Sequence, residues 1–223
     1  MSLTRQTIAE QVDGLKAGLE ARAPAAILAV FHDEQAGLAA AGVPPGVLEP
    51  GAAMPDGELV DVHGGPTTLA AARAGRPAVV VSYRGAWCPY CNLTLRAYQD
   101  QLVPALAERG IDLIAISPQK PDGSLTMRET NDLTYTVVSD PGNQIARQLG
   151  VLSPERSDAA RAAATALGAD VAAGNADGTD RVPMPTTVIV DAGGTIRWID
   201  VHPDYATRTE PREILDAVAS ILG

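Results

Sequence analysis

The chain is poor in the residues that build metal centres and covalent frameworks. Its 223 residues include two cysteines and three histidines. Two cysteines exclude a disulfide framework. They also leave a zinc site two ligands short, because His32, His63 and His202 are scattered without ligand-like spacing. Positive charge is scarce: 17 Lys and Arg against 27 Asp and Glu give a net charge of −10. No basic patch is evident, which argues against nucleic acid or an anionic membrane surface as partner. Long apolar runs are missing too, since stretches such as Ala78 to Val81 are far too short to span a membrane. Met1 to Gln6 lacks a charged region followed by an apolar core, so no signal peptide is read there and the expected compartment is the cytoplasm. No motif calls for a cofactor.

What is present is a pairing of the two cysteines. They fall in Tyr83-Arg84-Gly85-Ala86-Trp87-Cys88-Pro89-Tyr90-Cys91, as a C-x-x-C. The apolar segment Pro77 to Ser82 before them reads as a buried strand, and Leu93, Leu95, Ala97, Leu102 and Leu106 after them fall close to helical spacing. Cys88 is therefore expected at the start of a helix and Cys91 one turn on. Unpaired N–H groups and the helix dipole favour a negative charge there, and the thiolate is the reactive form of cysteine. Cys88, expected nearest solvent, fits the attacking sulfur and Cys91 the resolving one. A peroxide would oxidise Cys88 to a sulfenic acid that condenses with Cys91 to the same disulfide, so the cysteines alone do not separate the two chemistries. Pro89 is tolerated in the first helical turn, where its missing N–H has no partner to lose. Arg84 either stabilises a thiolate or faces solvent.

The rest of the chain reads in order as follows. Residues 3–22 are expected as an amphipathic helix with Ile8, Val12, Leu15 and Leu19 on one side, and Pro24 to Ala40 as a second helix with proline at its first position. These helices form either a lid or a homodimer contact. A Pro/Gly-rich linker over 42–57 precedes a short strand at 58–63, a turn at Gly64-Gly65-Pro66 and a short helix. Strands at 77–83, 111–117 and 135–139 alternate with helices at 89–109 (kinked at Pro104), 124–131 and 143–149. Ser153 to Gly168 reads as an inserted helix capped by Ser153, and 170–179 as a flexible loop. A hairpin around Gly193-Gly194 and a helix over 212–222 close the chain.

This order, with C-x-x-C opening the first long helix, is similar to the thioredoxin fold. The resemblance implies an α/β architecture, a mixed central sheet flanked by helices, over residues 43–223 with a helical insert at about 153–170. Residues 1–42 form an N-terminal helical extension. In that fold the residue before the hairpin is a cis-proline facing the dithiol. Met184-Pro185-Thr186-Thr187 lies at the matching place, which implies a cis Pro185 and a Met184 backbone free to pair with substrate. Trp87 sits where thioredoxins carry a tryptophan, there to cover Cys88 or to pack under the loop. Pro89 and Tyr90 complete the Cys-Pro-Tyr-Cys of glutaredoxins.

Three segments, Tyr83 to Leu93, Val182 to Pro185 and Val201 to Arg208, resemble the peroxiredoxin-like branch of the AhpC/TSA family, a likeness reaching from about residue 51 to 223. Peroxiredoxins carry Pro-x-x-x-Thr/Ser-x-x-Cys and a distant arginine. Val81 and Gly85 stand at that spacing before Cys88, and Pro185 stands at the arginine's place. By this alignment both peroxide-orienting groups are absent, and Tyr205 and Arg208 are read as surface contacts. Ser82 replaces the buried aspartate of thioredoxins, leaving the Cys91 proton without an assigned acceptor. The expected function is thiol–disulfide exchange at Cys88 and Cys91, with a disulfide substrate and a thiol reductant of the thioredoxin, glutaredoxin or glutathione type. The alternatives are a thiol-dependent peroxidase of hydrogen peroxide or organic hydroperoxides, and a non-catalytic redox sensor or interaction module.

Overall fold

Two helices, α1 (Ile8–Glu20) and α2 (Ala25–Ala41), open the computed structural model, which describes residues 6–222. Thr7 starts α1 reciprocally: its hydroxyl accepts from the Glu10 N–H, and the Glu10 carboxylate accepts from the Thr7 N–H. Of the helix expected over 3–22, residues 3–5 lie outside the described residues. Pro24 caps α2 from just outside its first turn. Glu210, near the other end of the chain, accepts from the N–H groups of Ile8 and Ala9, both at 2.9 Å. A carboxylate there satisfies unpaired donors and meets the positive end of the helix dipole. So held, α1 buries Ile8 and Val12 in the main core, with Leu15 packed against it. Three of the strip's four residues, Ile8, Val12 and Leu15, are thus used within the chain.

Next come β1 (Leu59–Asp61), β2 (Pro66–Thr67), α3 (Leu69–Arg73), β3 (Ala78–Ser82), α4 (Pro89–Gln101), α5 (Val103–Ala107), β4 (Asp112–Ser117), α6 (Pro121–Thr130), β5 (Thr136–Ser139) and α7 (Gln144–Leu149). The insert holds α8 (Asp158–Ala166) and α9 (Val171–Gly174); β6 (Thr186–Val190), β7 (Ile196–Val201) and α10 (Pro211–Leu222) finish the fold. Among the described residues one seven-stranded sheet runs β2-β1-β5-β4-β3-β6-β7. The β3–β4 and β4–β5 pairs are parallel, and β6 pairs antiparallel with β3 and with β7. All five residues of β3 are buried. Val79 and Val81 face the core that holds α4 and α1, while Ala78 and Val80 face the opposite core with Leu69 and Leu149. Helices on both faces of a mixed sheet are the thioredoxin-like arrangement read from the sequence.

Three segments differ from expectation. The helix expected over 89–109 is two helices meeting at Leu102, because Pro104 carries no N–H to continue the ladder and sits in the first turn of α5. Ser153 does not cap the insert. Its N–H donates to the Val182 carbonyl at 3.0 Å and Leu152 bridges Pro183, so this stretch is extended and Ser157 caps α8 instead. The loop at 170–179 is anchored: Asn175 is fully buried, its amide donates to the Thr179 and Arg181 carbonyls, and its backbone bridges Gln119.

Candidate active site

β3 delivers the chain to Tyr83 and Arg84, and Gly85 turns it toward α4. Gly85 has φ +152°, and a Cβ there would lie 2.9 Å from Gln119 Cδ and within clash distance of Trp87 Nε1. Gln119 has no freedom to withdraw, because its Oε1 accepts from the Ala86 N–H at 2.6 Å. Asn92 closes the loop from the helix side, donating to the carbonyls of Ala86 (2.7 Å) and Cys88 (2.9 Å), and Asn131 in turn donates to Asn92 Oδ1 at 2.8 Å. Gly85→Ala is expected to cost about 1–3 kcal/mol of stability by denaturant unfolding, because backbone strain and the loss of the Gln119 contact act together.

Cys88 is the residue that caps α4, Pro89 begins the helix, and the Cys91 N–H donates back to the Cys88 carbonyl at 3.0 Å. Both cysteines are free thiols and each is 1% exposed. The expectation that Cys88 lies near bulk solvent is thus corrected: α1, α2 and the insert cover it. Cys88 instead opens on a partly enclosed cavity of about 360 Å³ that is also lined by Leu28, Phe31, Arg84, Trp87, Tyr90 and Leu167. Cys91 lines a separate space of about 10 Å³ beside Arg208, Thr187 and Pro185. That is room for one water-sized molecule at most.

The segment after β7 supplies groups that the sequence reading set aside as surface contacts. Asp200, at the end of β7, accepts from Thr209 Oγ1 at 2.8 Å and pairs with His202 at 2.9 Å, while Tyr98 on α4 donates to the Thr209 carbonyl. These bonds fold residues 202–209 over the head of α4. Arg208 Nη2 lies 3.4 Å from Cys91 Sγ, with Nη1 donating to the Tyr205 and Thr207 carbonyls. Arg84, 5% exposed, stacks with its guanidinium carbon 3.8 Å from the Tyr205 ring centroid and 5.0 Å from that of Trp87. Tyr205 Oη donates to Glu34 Oε2 at 2.7 Å, and Arg156 pairs with the same carboxylate through Nε (2.9 Å) and Nη2 (3.2 Å). Burial works against the Glu34 charge, but the bonds from Arg156 and Tyr205 and the two arginine charges hold its carboxyl below the ordinary value.

The two thiols share a proton unequally. For Cys91, burial opposes ionisation. The Cys88 thiol donating to it, the Arg208 guanidinium, the Arg84 N–H and the Arg84 charge outweigh burial and bring it down to about 5. Cys88 is pushed well above the ordinary thiol value by burial, by its bond to Cys91 and by the Cys91 charge. The Arg208 guanidinium at 3.4 Å favours a negative charge on the inner sulfur of the pair.

Two other expectations are corrected. No peptide bond among the described residues is cis, so Pro185 is trans. The Met184 backbone is occupied rather than free, its N–H donating to the Val151 carbonyl at 2.8 Å and its carbonyl accepting from Thr186 Oγ1 at 2.9 Å. The extended 151–153 stretch fills the edge where a substrate backbone was expected. Arg84 is buried rather than solvent-facing, and Arg208, read from the sequence as a surface contact, reaches the dithiol from after the hairpin.

A mixed sheet in this order with a buried dithiol at the head of α4 defines the thioredoxin-like class. The AhpC/TSA family model matches residues 50–199, well over half the chain. Among curated relatives, a Mycobacterium tuberculosis protein bearing the peroxiredoxin name with a provisional qualifier is 33% identical over 98 residues, 44% of this chain and 61% of its own. The chain thus spans about three fifths of that relative's length. Among solved structures, peroxidoxin BcpB from Mycobacterium tuberculosis matches with TM-score 0.59 and 20% identity, covering 78% of this chain and 98% of that one. A peroxiredoxin-like protein from Aquifex aeolicus gives TM-score 0.61 and 16% identity, covering 80% and 90%. The chain belongs to the AhpC/TSA family.

Proposed function

We propose that the protein is a cysteine-dependent oxidoreductase of small oxidised molecules, with Cys88 attacking and Cys91 closing the disulfide. The carrying observation is the placing of the pair: Cys91 lies against Arg208 beside a space for one water at most, while Cys88 opens on a cavity with room for a ligand. This placing also gives a proton route that the sequence left open. Cys91 takes the Cys88 proton, the Cys88 thiolate attacks, and Cys91 returns the proton to the leaving group, becoming the thiolate that resolves the intermediate. With a hydroperoxide, Cys88 gains the OH, the O–O bond breaks and the alkoxide takes the proton from Cys91. Cys91 then displaces hydroxide from the sulfenic acid, giving the 88–91 disulfide.

Thiol–disulfide exchange is the other half of the cycle, in which a thiol reductant of the thioredoxin, glutaredoxin or glutathione type restores the dithiol. A reducing compartment such as the cytoplasm suits that half. On the oxidising side, Arg84 favours a hydroperoxide. It lines the Cys88 cavity and offers a cation where the leaving oxygen becomes an alkoxide. A protein disulfide fits less well, because the dithiol is covered and the Met184 backbone is engaged. The purely non-catalytic reading loses its motives, since the α1 strip and the 170–179 segment both pack within the chain.

Stopped-flow mixing of reduced protein with hydrogen peroxide and with an organic hydroperoxide, read by Trp87 fluorescence, tests this reading. Oxidation well above the rate of an ordinary free thiol is expected, with a product two hydrogens lighter. Oxidation at the free-thiol rate with both oxidants removes the peroxidase reading.

A further inference from the structure

The cavity over Cys88 is built largely from elements that lie outside the family's matched segment or in its insert. Leu19, Leu28 and Phe31 come from α1 and α2, which precede residue 50, while Ala164, Leu167 and Ala169 come from the insert. With Trp87, Pro89, Tyr90 and Tyr205 they make its wall mainly apolar, and its volume of about 360 Å³ lies in the range of small-ligand sites. Leu167, 48% exposed, stands at its rim.

Set into this apolar wall are two buried guanidinium groups with donors to spare. Arg84 is 5% exposed and stacks on Tyr205 and Trp87, yet its guanidinium makes no hydrogen bond or ion pair with any described residue. Arg156 is 8% exposed; it pairs with Glu34, but its Nη1 is buried without a partner. Lys16 adds a third cation to the lining, against Glu20 at the surface and Glu34 behind Arg156. Arg156 Nη1 is a buried donor left without an acceptor, which is costly, and a ligand that enters with an acceptor answers it.

We propose that this cavity is the substrate subsite for an apolar carboxylic acid that carries the oxidised group. The carboxylate is held by Arg84 and Arg156, and the hydrocarbon lies against Leu28, Phe31, Trp87 and Leu167. A carboxylate supplies the acceptors that Arg84 and Arg156 Nη1 lack, in a setting where charge-assisted bonds are strong. The hydrocarbon removes the apolar wall from water, which hydrogen peroxide does not do. That the ligand is a substrate rests on the reading of Cys88 as the attacking sulfur; that the cavity binds an apolar carboxylate does not.

Titration calorimetry of the full chain with decanoate, decanol and acetate tests the subsite without any redox step. Decanoate is expected to saturate one site, with decanol and acetate each weaker by about tenfold or more, because each lacks one of the two recognised features. Arg156→Met is expected to erase the advantage of decanoate over decanol. Ala169→Trp, which fills the cavity and leaves the Glu34–Arg156 pair alone, is expected to abolish decanoate binding. Equal affinities for decanoate and decanol, or no saturable binding to the wild type, overturn the proposal. If Arg156→Met does not fold, undiminished decanoate binding by Ala169→Trp places the ligand elsewhere and overturns it as well. Oxidation of the same preparation by hydrogen peroxide reports on the dithiol separately, so an active enzyme that ignores decanoate fails this inference alone.

Discussion

Cys88→Ser is expected to lower the single-turnover rate of peroxide reduction by about three orders of magnitude or more, because the attacking atom is lost and a serine hydroxyl at this site stays protonated. The contrast with Cys91→Ser makes the prediction diagnostic. In the proposed roles, Cys91→Ser keeps the attacking sulfur but removes the group that takes its proton and later displaces hydroxide. Its Cys88 is pushed up by burial with no neighbouring thiolate to accept its proton. Oxidation of this variant should be slow at neutral pH and should stop at a sulfenic acid trappable by dimedone, whereas the wild type passes to the disulfide. Mass spectrometry after one turnover distinguishes the two. A dimedone adduct on Cys91 in Cys88→Ser, formed at the wild-type rate, would invert the assigned roles.

Arg208→Met carries the second large effect. Arg208 is the charged side chain in contact with Cys91, 3.4 Å from its sulfur. With it, the Cys91 value of about 5 keeps the pair monoanionic across the neutral range. The direction follows from the sign of the shift: a depressed thiol is ionised above its own value and loses its charge as pH falls through it. Wild-type oxidation should therefore be flat from pH 6 to 8 and fall below pH 5. Without Arg208 the value rises, and the Cys88 thiol and Arg84 hold it below that of a free thiol. The rate at pH 7 should drop several-fold, with most of it recovered at higher pH. Arg208→Lys should restore part of the neutral rate, since a cation remains but the contact geometry changes. A pH profile unchanged in Arg208→Met would remove Arg208 from the machinery.

Much of the fold is legible in the residue pattern because its elements are patterned locally. The buried run before Arg84, the periodic helix after Pro89 and the Gly193-Gly194 hairpin each announce themselves within a few residues. What was misread depends on partners far away in sequence. Ser153 looks like a helix cap, but Val182 claims its N–H and leaves the role to Ser157. The 170–179 segment has the composition of a mobile loop, yet one amide, Asn175, ties it to the core. The same holds at the site. The two cysteines are visible as a motif, and Arg84 and Trp87 as their neighbours. Glu34, Arg156, Gln119 and Arg208 come from four separate stretches with no motif to join them. Arg208 had a signal, the His202-Pro203-Asp204-Tyr205 segment, but which way its side chain turns is decided by Asp200, Thr209 and Tyr98. Pro185 shows the converse: position alone suggested a cis bond, and the neighbouring 151–153 strand occupies the backbone it was to present.

The clasp of Glu210 on the first turn of α1 joins residues 202 positions apart. During synthesis, at about 5–20 residues per second, α1 emerges roughly 10–40 s before the carboxylate that holds it has been made. Throughout that interval Ile8, Val12 and Leu15 have neither α10's approach nor a finished core to cover them. α1 is thus made well before the carboxylate that clasps it, and its first turn gains those two acceptor bonds only once Glu210 has docked.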